Sequence, residues 1–192
     1  MELLLSKAAS HRTAAPSPWV ARWAHLIVPG GSVLDVAAGS GRHTLFLAGR
    51  GHAVTAVDRD EAALRELAGM AETVVADLES APWPLPGRSF DAVVVTNYLW
   101  RPLLPAVVAA LAPGGVLIYE TFASGNETVG RPARPDFLLA PGELLVAAAG
   151  LRIVAYEDGF LRAPDRFVQR VAAVRDAPGG TAPRHLLEAA EA

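Results

Sequence analysis

The segment Val33-Leu34-Asp35-Val36-Ala37-Ala38-Gly39-Ser40-Gly41-Arg42-His43 joins a short apolar run to a helical stretch through a turn of small residues. We predict a strand over Ser32–Val36, with Asp35 near its end, and a helix from residue 42 onwards. Small side chains let the backbone turn sharply and pass close to a ligand, and the start of a helix offers free N–H groups to an anion. Tight packing of a strand against a helix produces the same pattern, so this turn alone does not identify a site.

Two more carboxylates follow the next two predicted strands. Asp58 comes one strand–helix–strand step after Asp35, and Asp77 ends the third strand. An acid after the second strand can accept hydrogen bonds from ribose hydroxyls, and an acid after the third can accept one from an exocyclic amine such as that of adenine. Each acid alone could be a solvated surface group, but the three together, beside a glycine turn, predict a site for a nucleoside cofactor.

Strand and helix patterns alternate along most of the chain. Such alternation is typical of a parallel sheet with helices on both faces. We therefore predict an α/β fold, a Rossmann-like three-layer sandwich whose seven-stranded, mostly parallel sheet has an antiparallel C-terminal strand. Ligands bind such sheets beyond the carboxyl ends of the strands. The predicted strands are 32–36, 52–57, 73–76, 90–96, 116–121, 151–156 and 167–174, and the predicted helices are 18–26, 42–50, 60–70, 101–112 and 141–149.

Composition favours one globular domain. Of the 192 residues, 52% are hydrophobic and 19% are charged, and the formal net charge is −3. Proteins that neutralise many phosphates usually carry a basic stripe, which is not visible here, so we do not expect nucleic acid as a partner. The absence of cysteine excludes disulfides, thiolate-bound zinc and a cysteine nucleophile, and we assign no metal site.

The apolar run at residues 3–5 is too short for a signal peptide or a membrane span. We therefore expect a cytoplasmic protein with no membrane partner, either a monomer or a homodimer. Within the single domain 1–192 we expect an N-terminal helical cap over 1–29, a substrate lid loop over 123–140 and a loosely ordered tail over 176–192. In the cap, Trp19 and Trp23 fit core anchors better than a cover for a ligand.

Several motifs resemble those of the class I S-adenosylmethionine-dependent methyltransferases, over roughly residues 30–122. The segment 33–41 is similar to the first motif of that family, Asp58 to its second-strand acid and Asp77 to its third-motif acid. Residues 90–99 are similar to the fourth motif. Residues 111–120 are similar to the family's helix, turn and fifth strand, in which Pro-Gly-Gly is a strong marker.

The run Gly41-Arg42-His43 is similar to the small tellurite-resistance-like branch of this family. Ala37 is a departure, because the family usually has glycine there, and alanine fits that position if its φ is negative. Arg42 would pair with the cofactor carboxylate, although Arg42 and His43 could equally form an exposed helix start.

The resemblance implies that S-adenosylmethionine is the cofactor. Gly39 and Gly41 would lie under its methionine part, Asp58 would hold the ribose, and Asp77 with the backbone of Leu78 would hold the adenine. Asn97 and Tyr98 would flank the sulfonium and the acceptor. The cofactor-binding residues implied in this way are Asp35, Ala37, Gly39, Gly41, Arg42, Asp58, Arg59, Asp77, Leu78 and Asn97.

The predicted function is an enzyme that transfers the methyl group to a small-molecule acceptor by in-line displacement. Such an enzyme mainly has to align the reactants and exclude water, and it needs a general base only if the acceptor must lose a proton. The residues assigned to catalysis are Asn97, Tyr98 and Glu120, of which Tyr98 or Glu120 could serve as that base. Arg131 and Arg134 in the lid loop indicate an anionic or polar acceptor, whose identity the sequence leaves open.

Two other functions compete with this one. A nicotinamide-dependent oxidoreductase would share the layered fold, but its G-x-G-x-x-G pattern is not met because Thr44 stands at the last glycine position. An S-adenosylmethionine-binding protein without turnover remains open, because methyl transfer requires few obligatory side chains. Formation of S-adenosylhomocysteine from any acceptor would distinguish an enzyme from such a binder.

Overall fold

The computed structural model describes residues 15–179 and 183–188. Its strands are β1 (Ser32–Val36), β2 (Ala53–Asp58), β3 (Glu72–Val75), β4 (Phe90–Thr96), β5 (Leu111–Phe122), β6 (Arg152–Leu161) and β7 (Arg166–Val174). Its helices are α1 (Pro18–Trp23), α2 (Arg42–Ala48), α3 (Glu61–Arg65), α4 (Leu104–Ala109) and α5 (Glu143–Ala147). Short 3₁₀ turns lie at Ala24–Leu26, Arg101–Leu103, Asn126–Thr128 and Pro135–Phe137.

The strands form one sheet in the order β3-β2-β1-β4-β5-β7-β6. β1 pairs in parallel with β2 and β4, and the parallel pairing continues to β3 on one side and β5 on the other. β7 is antiparallel to both β5 and β6. The predicted fold is confirmed, and its antiparallel strand lies inside the sheet, so that β6 forms the edge.

The central strands β1 and β4 have the predicted bounds. Both are almost entirely buried, so each is a continuous apolar run in the sequence and its ends are easy to recognise. β6 is longer than the predicted 151–156 and continues to Leu161, where it pairs with Arg166 across a tight hairpin. Its second half is largely exposed. The apolar pattern from which the strand was predicted therefore ends before the strand itself ends.

All five helices are shorter than predicted, and α3, expected over 60–70, already ends at Arg65. The helix expected over 101–112 ends earlier, because Leu111 already pairs with Phe90 in the sheet, and β5 then bulges over residues 112–115 before pairing resumes at Val116. The helix expected over 141–149 begins only after Gly142, whose φ of 73° breaks the helical path, so Pro141 precedes the helix and is not in its first turn. Within the described residues no helix has the length and apolarity needed to cross a membrane.

The N-terminal helix α1 packs on one face of the sheet as a core element. Trp19 and Trp23 are buried, and the indole N–H of Trp19 donates to the carbonyl oxygen of Val171 on β7 at 3.2 Å. The Ser17 hydroxyl accepts from the Trp19 backbone N–H at 3.1 Å and so caps the helix as predicted. The two tryptophans therefore anchor the core and do not cover a ligand.

His43 joins the N-terminal segment to the sheet. Its ring is 2% exposed, contrary to an exposed helix start. Its Nε2 accepts from the backbone N–H of Ser17 at 3.1 Å, so the proton lies on Nδ1, which is 3.3 Å from the Thr96 hydroxyl. Burial, together with the nearby Arg42, lowers the pKa of His43 to about 3, and the ring is neutral at physiological pH.

Acid should weaken this attachment. Since the pKa of His43 falls from 6.5 to about 3 on folding, its contribution to stability is complete above pH 6.5 and is lost as the pH falls from 6.5 towards 3. His43→Gln removes the titration while its amide oxygen can still accept from Ser17. We expect the difference in unfolding free energy between wild type and H43Q to shrink by about 1 kcal/mol between pH 7.5 and 5.5, measured by urea denaturation. A difference independent of pH would contradict the assignment.

The turn after β1 adopts a left-handed backbone at a residue that has a side chain. Ala37 has a φ of 53°, so the condition under which alanine fits this position without strain is not met. The neighbouring glycines of the turn, Gly39 and Gly41, also have positive φ, at 56° and 79°. The turn is thus strained at Ala37, where an L-residue rarely adopts this conformation.

Replacing Ala37 by glycine should therefore stabilise the protein. The left-handed conformation costs an alanine roughly 1–2 kcal/mol, while glycine loses about 0.5–1 kcal/mol of extra chain entropy on folding. We expect Ala37→Gly to raise the free energy of unfolding by about 0.5–1 kcal/mol in urea denaturation. The matched control is Ala38→Gly at the next position, which is buried and lacks a positive φ and should destabilise. Equal effects of the two substitutions would contradict strain at Ala37.

Candidate active site

A cleft runs along the carboxyl ends of β1, β2, β3 and β4. It consists of two neighbouring cavities of about 270 and 380 Å³, both of which are lined by Ala37 and Tyr98. The first is also lined by Asp58, Arg59, Ala76, Asp77, Leu78 and Glu79. The second is also lined by Ala38, Gly39, Ser40, Arg42, His43, Thr96 and Asn97. The parallel register brings these strand ends to one edge, so most residues predicted to bind the cofactor lie along a single groove.

Asp58 and Asp77 form the acidic end of the cleft. Asp58 accepts from the backbone N–H of Gly39 at 2.7 Å through Oδ2 and from that of Asp60 at 2.9 Å through Oδ1. Asp77 accepts from the Ser80 hydroxyl and the Glu79 backbone N–H, and the Ser80 bond is the main reason that the pKa of Asp77 lies below its usual value. Both carboxylates are therefore held in fixed orientations by donors of the neighbouring turns.

Tyr98 lies between the two cavities, nearer to the acids than the sequence suggested. Its hydroxyl is buried and has no hydrogen-bond partner within the described residues. Burial raises the pKa of Tyr98 well above its usual value, and the charges of Glu79 and Asp77 add to the effect. The hydroxyl therefore stays protonated as a donor, which argues against the expectation that Tyr98 is a general base.

Asn97 occupies the point where β4 leaves the sheet. Its φ is 53°, a conformation that asparagine tolerates better than most residues. Its backbone N–H donates to the carbonyl oxygen of Glu120 at 2.9 Å, which fixes the end of β4 to β5. Asn97 is thereby held at the mouth of the cleft.

Two predicted cofactor ligands lie beneath the cleft and do not line it. Asp35 is 1% exposed and accepts from the Thr44 hydroxyl at 2.6 Å. Burial raises the pKa of Asp35 to about 6, although the bonds from Thr44 act in the opposite direction. Gly41 packs against Leu67, and a Cβ at this position would come within 2.4 Å of a Leu67 methyl carbon. Both residues shape the turn from below.

A larger chamber of about 1000 Å³ opens beyond the cleft. Arg42 and Asn97 line both the cleft and the chamber, so the two spaces meet at these residues. The other walls come from the segment before α1, the loop after β5 and the hairpin between β6 and β7. The chamber is where an acceptor can lie next to a ligand held in the cleft.

Glu120 is a buried anchor, which corrects its expected role as a proton acceptor. It is 0% exposed and does not line the chamber. Its Oε1 accepts from the Ser17 hydroxyl at 3.0 Å, and its Oε2 accepts from Arg170 at 3.2 Å. A guanidinium nitrogen of Arg166 lies 3.6 Å from Oε1. A carboxylate that holds these partners together positions the chamber wall, and its contacts are to the protein and not to the chamber.

The two arginines of the predicted lid loop have different places. Arg131 lines the chamber. Arg134 is exposed, pairs with Asp136 at 2.7 Å and lies outside the chamber lining. The loop is fastened at its base by Asn126, whose amide donates to the carbonyl oxygen of Pro132 and accepts from the backbone N–H of Phe167. The expected contribution of Arg134 to the acceptor site therefore lacks support.

Sequence reasoning missed three arginines of the chamber, Arg162, Arg166 and Arg170. Arg166 and Arg170 both lie on β7 and are separated by an even number of positions, so their side chains project from the same face of the strand. That spacing, next to the Pro164-Asp165 turn, was a signal available in the sequence.

Comparisons with known proteins agree with this geometry. A family model described as "Methyltransferase domain" matches residues 33–115, which hold the strand ends that form the cleft. No curated protein matches the sequence significantly.

Solved structures share the fold at low sequence identity. TehB from Haemophilus influenzae has a TM-score of 0.68 and 22% identity over 85% of this chain, which spans only 63% of that protein. A SAM-dependent methyltransferase from Methanosarcina mazei has a TM-score of 0.66 and 18% identity, and the match covers 85% of this chain and 100% of that one. A TehB-like SAM-dependent methyltransferase from Corynebacterium glutamicum has a TM-score of 0.57 and 21% identity, with 76% and 80% of the two chains covered.

The domain match falls on the segment that carries the strand-end carboxylates and the Pro-Gly-Gly turn. The seven-stranded fold of this chain is similar to that of the compared structures. Residues 33–115 therefore match a methyltransferase domain, and the chain has the fold of the compared S-adenosylmethionine-dependent methyltransferases.

Proposed function

We propose that the protein transfers the methyl group of S-adenosylmethionine to a small-molecule acceptor by in-line displacement, with the cofactor in the cleft and the acceptor in the chamber. One observation carries this proposal. The cleft and the chamber meet at Arg42 and Asn97, so a donor and an acceptor can lie side by side there. The net charge of −3 favours a small molecule over nucleic acid as the partner.

The residues present fit the cofactor. Asp58 and Asp77 offer oriented acceptors for the hydroxyl and amine groups of an adenosine. Tyr98 lines the same space, and its buried hydroxyl, which lacks a partner within the described residues, keeps its proton. At the other end of the cleft, Arg42 has no carboxylate within ion-pairing distance in the described part of the chain and suits a carboxylate of the ligand.

When bound, S-adenosylmethionine supplies a methyl carbon on a positively charged sulfur, and transfer forms a bond from the acceptor's lone pair to that carbon while the carbon–sulfur pair stays on sulfur. The protein's share is orientation, which can lower a barrier by roughly 7–11 kcal/mol. Asn97 and Arg42 form the boundary at which the reactants meet. Glu120 holds Arg166 and Arg170 in the chamber wall behind the acceptor.

A general base is not part of this proposal. Tyr98 keeps its proton and Glu120 is buried in an ion pair, so an acceptor that must lose a proton would release it to water. A nicotinamide-dependent reaction would leave Asp77 and the chamber without a role. Binding of the cofactor without turnover is the alternative that the experiments below distinguish.

Asp58→Ala should weaken cofactor binding about 10- to 100-fold, because hydrogen bonds to a charged group contribute about 1.5–3 kcal/mol and because the turn would lose its tie at Gly39. Isothermal titration with S-adenosylmethionine measures the change. The control is Glu61→Ala, which removes an exposed carboxylate that pairs with Arg65 on α3 and does not line the cleft. Equal affinities for wild type and D58A would remove Asp58 from the cofactor site.

The proposed activity predicts S-adenosylhomocysteine as a product. Purified protein is incubated with S-adenosylmethionine and a panel of small oxygen, nitrogen, sulfur and oxyanion acceptors, and the product is measured by mass spectrometry. We expect an acceptor-dependent signal that D58A reduces by at least about tenfold at limiting cofactor. Tight cofactor binding without product from any acceptor would favour a binding protein, and failure to bind the cofactor would refute the proposal as a whole.

A further inference from the structure

The chamber carries positive charge on a protein whose net charge is negative. Five arginines line it, and Asp165 is the one carboxylate of its lining among the described residues. Glu120 lies beneath the wall and compensates part of this charge. The arginines of the lining are Arg42, Arg131, Arg162, Arg166 and Arg170.

Arg170 is already committed to the fold. Its guanidinium pairs with Glu120 at 3.2 Å and with Glu157, and its carbon centre lies 4.7 Å from the centre of the Trp19 ring. Such a group, held by two carboxylates and an aromatic face, supports the wall. Arg170 is therefore not the residue that recognises a ligand.

Arg166, in contrast, is incompletely satisfied. Its side chain is 18% exposed, and its Nε is buried without a hydrogen-bond partner in the described part of the chain. Its ion pair with Glu120 is long at 3.6 Å. Arg131 and Arg162 also line the chamber, and neither lies within ion-pairing distance of a carboxylate in residues 15–179 and 183–188. These three side chains line the chamber and are available to pair with an anion.

The chamber is too large for an inorganic oxyanion alone. Its volume of about 1000 Å³ lies at the upper end of the range for pockets that enclose drug-sized organic molecules. Phe122, Val129 and Leu161 contribute apolar wall. An ion of a few atoms would leave that wall uncovered, whereas an organic body would bury it.

We propose that Arg131, Arg162 and Arg166 bind the carboxylate or phosphate group of an organic acceptor, whose methyl-accepting atom is a different atom of the same molecule and lies near Asn97. The inference rests on the proposed function. Planar guanidinium groups pair in bidentate fashion with the oxygens of either anionic group. The charged group is thus a recognition element, and the distance from it to the reacting atom determines which acceptors fit.

The test separates anion recognition from cofactor binding. Benzoate, phenyl phosphate, benzamide and inorganic phosphate are titrated calorimetrically into protein saturated with S-adenosylhomocysteine. We expect benzoate or phenyl phosphate to bind at least about tenfold more tightly than benzamide and than inorganic phosphate, and the tighter of the two identifies the preferred anionic group.

Arg162→Gln and Arg166→Gln should each weaken binding of that anion about tenfold. The affinity for S-adenosylhomocysteine should change less than about twofold in both, because neither residue lines the cleft. The control is Arg134→Gln, which removes the same charge from an exposed residue outside the chamber. Since Arg162 lies in the turn after β6, R162Q tests the subsite even if R166Q fails to fold.

Three results would each overturn the inference: benzamide binding as tightly as benzoate and phenyl phosphate, inorganic phosphate binding as tightly as the organic anions, or R162Q and R166Q behaving like R134Q. If S-adenosylhomocysteine itself fails to bind to the wild-type protein, the proposed function fails instead. The anion titrations repeated on the protein alone then decide the subsite independently.

Discussion

The hydrogen bond from the Gly39 backbone N–H to Asp58 Oδ2, at 2.7 Å, joins the turn after β1 to the end of β2. This contact depends on the parallel register of the two strands, which places both ends at one edge of the sheet. It also depends on a turn that bends back through three residues with positive φ, Ala37, Gly39 and Gly41. This contact holds the turn close to the end of β2, beside the cleft. Asp58 therefore both shapes the cleft and is the carboxylate that would bind the cofactor.

A second constraint operates on the other side of the cleft, where a buried charge is surrounded by partners. Glu120 connects Ser17 before α1 with Arg166 and Arg170 on β7. A buried carboxylate without such partners would be strongly destabilising. The N-terminal segment, the fifth strand and the C-terminal hairpin are therefore tied to one another through a single side chain. Ser17 is also the residue whose backbone N–H is received by the neutral ring of His43, so the chamber wall and the core are coupled at that residue.

The site in this way combines two kinds of surface. Around Asp58 and Asp77 the protein presents acceptors, which suit the hydroxyl and amine groups of a nucleoside. Around Arg131, Arg162 and Arg166 it presents donors, which suit an anion. Arg42 and Asn97 stand at the junction and line both spaces. In the proposed reaction, the opposite polarity of the two spaces would let each reactant be recognised in its own place while the reacting atoms meet between them.

Local patterns in the sequence were sufficient to predict the fold, and they located most of the residues that line the cleft. β1 and β4 are buried on both faces, so their apolar runs show their bounds directly, and Asp58 and Asp77 follow strands whose order along the chain implies a common edge. Patterns were insufficient where a residue's role depends on distant partners. In the sequence, Tyr98 and Glu120 were both possible general bases. Burial keeps the proton on Tyr98, and Glu120 is ion-paired with Arg170, which only the structure shows.

The sequence by itself determined a mostly parallel α/β sheet with carboxylates at one edge, because alternating periodicities and strand-end acids are properties of neighbouring residues. Only the tertiary structure decided which charges meet in the chamber. Ser17 and Glu120, for example, are separated by 103 positions and lie 3.0 Å apart. Contacts of that kind arise from the packing of whole elements, and no local pattern in the chain records them.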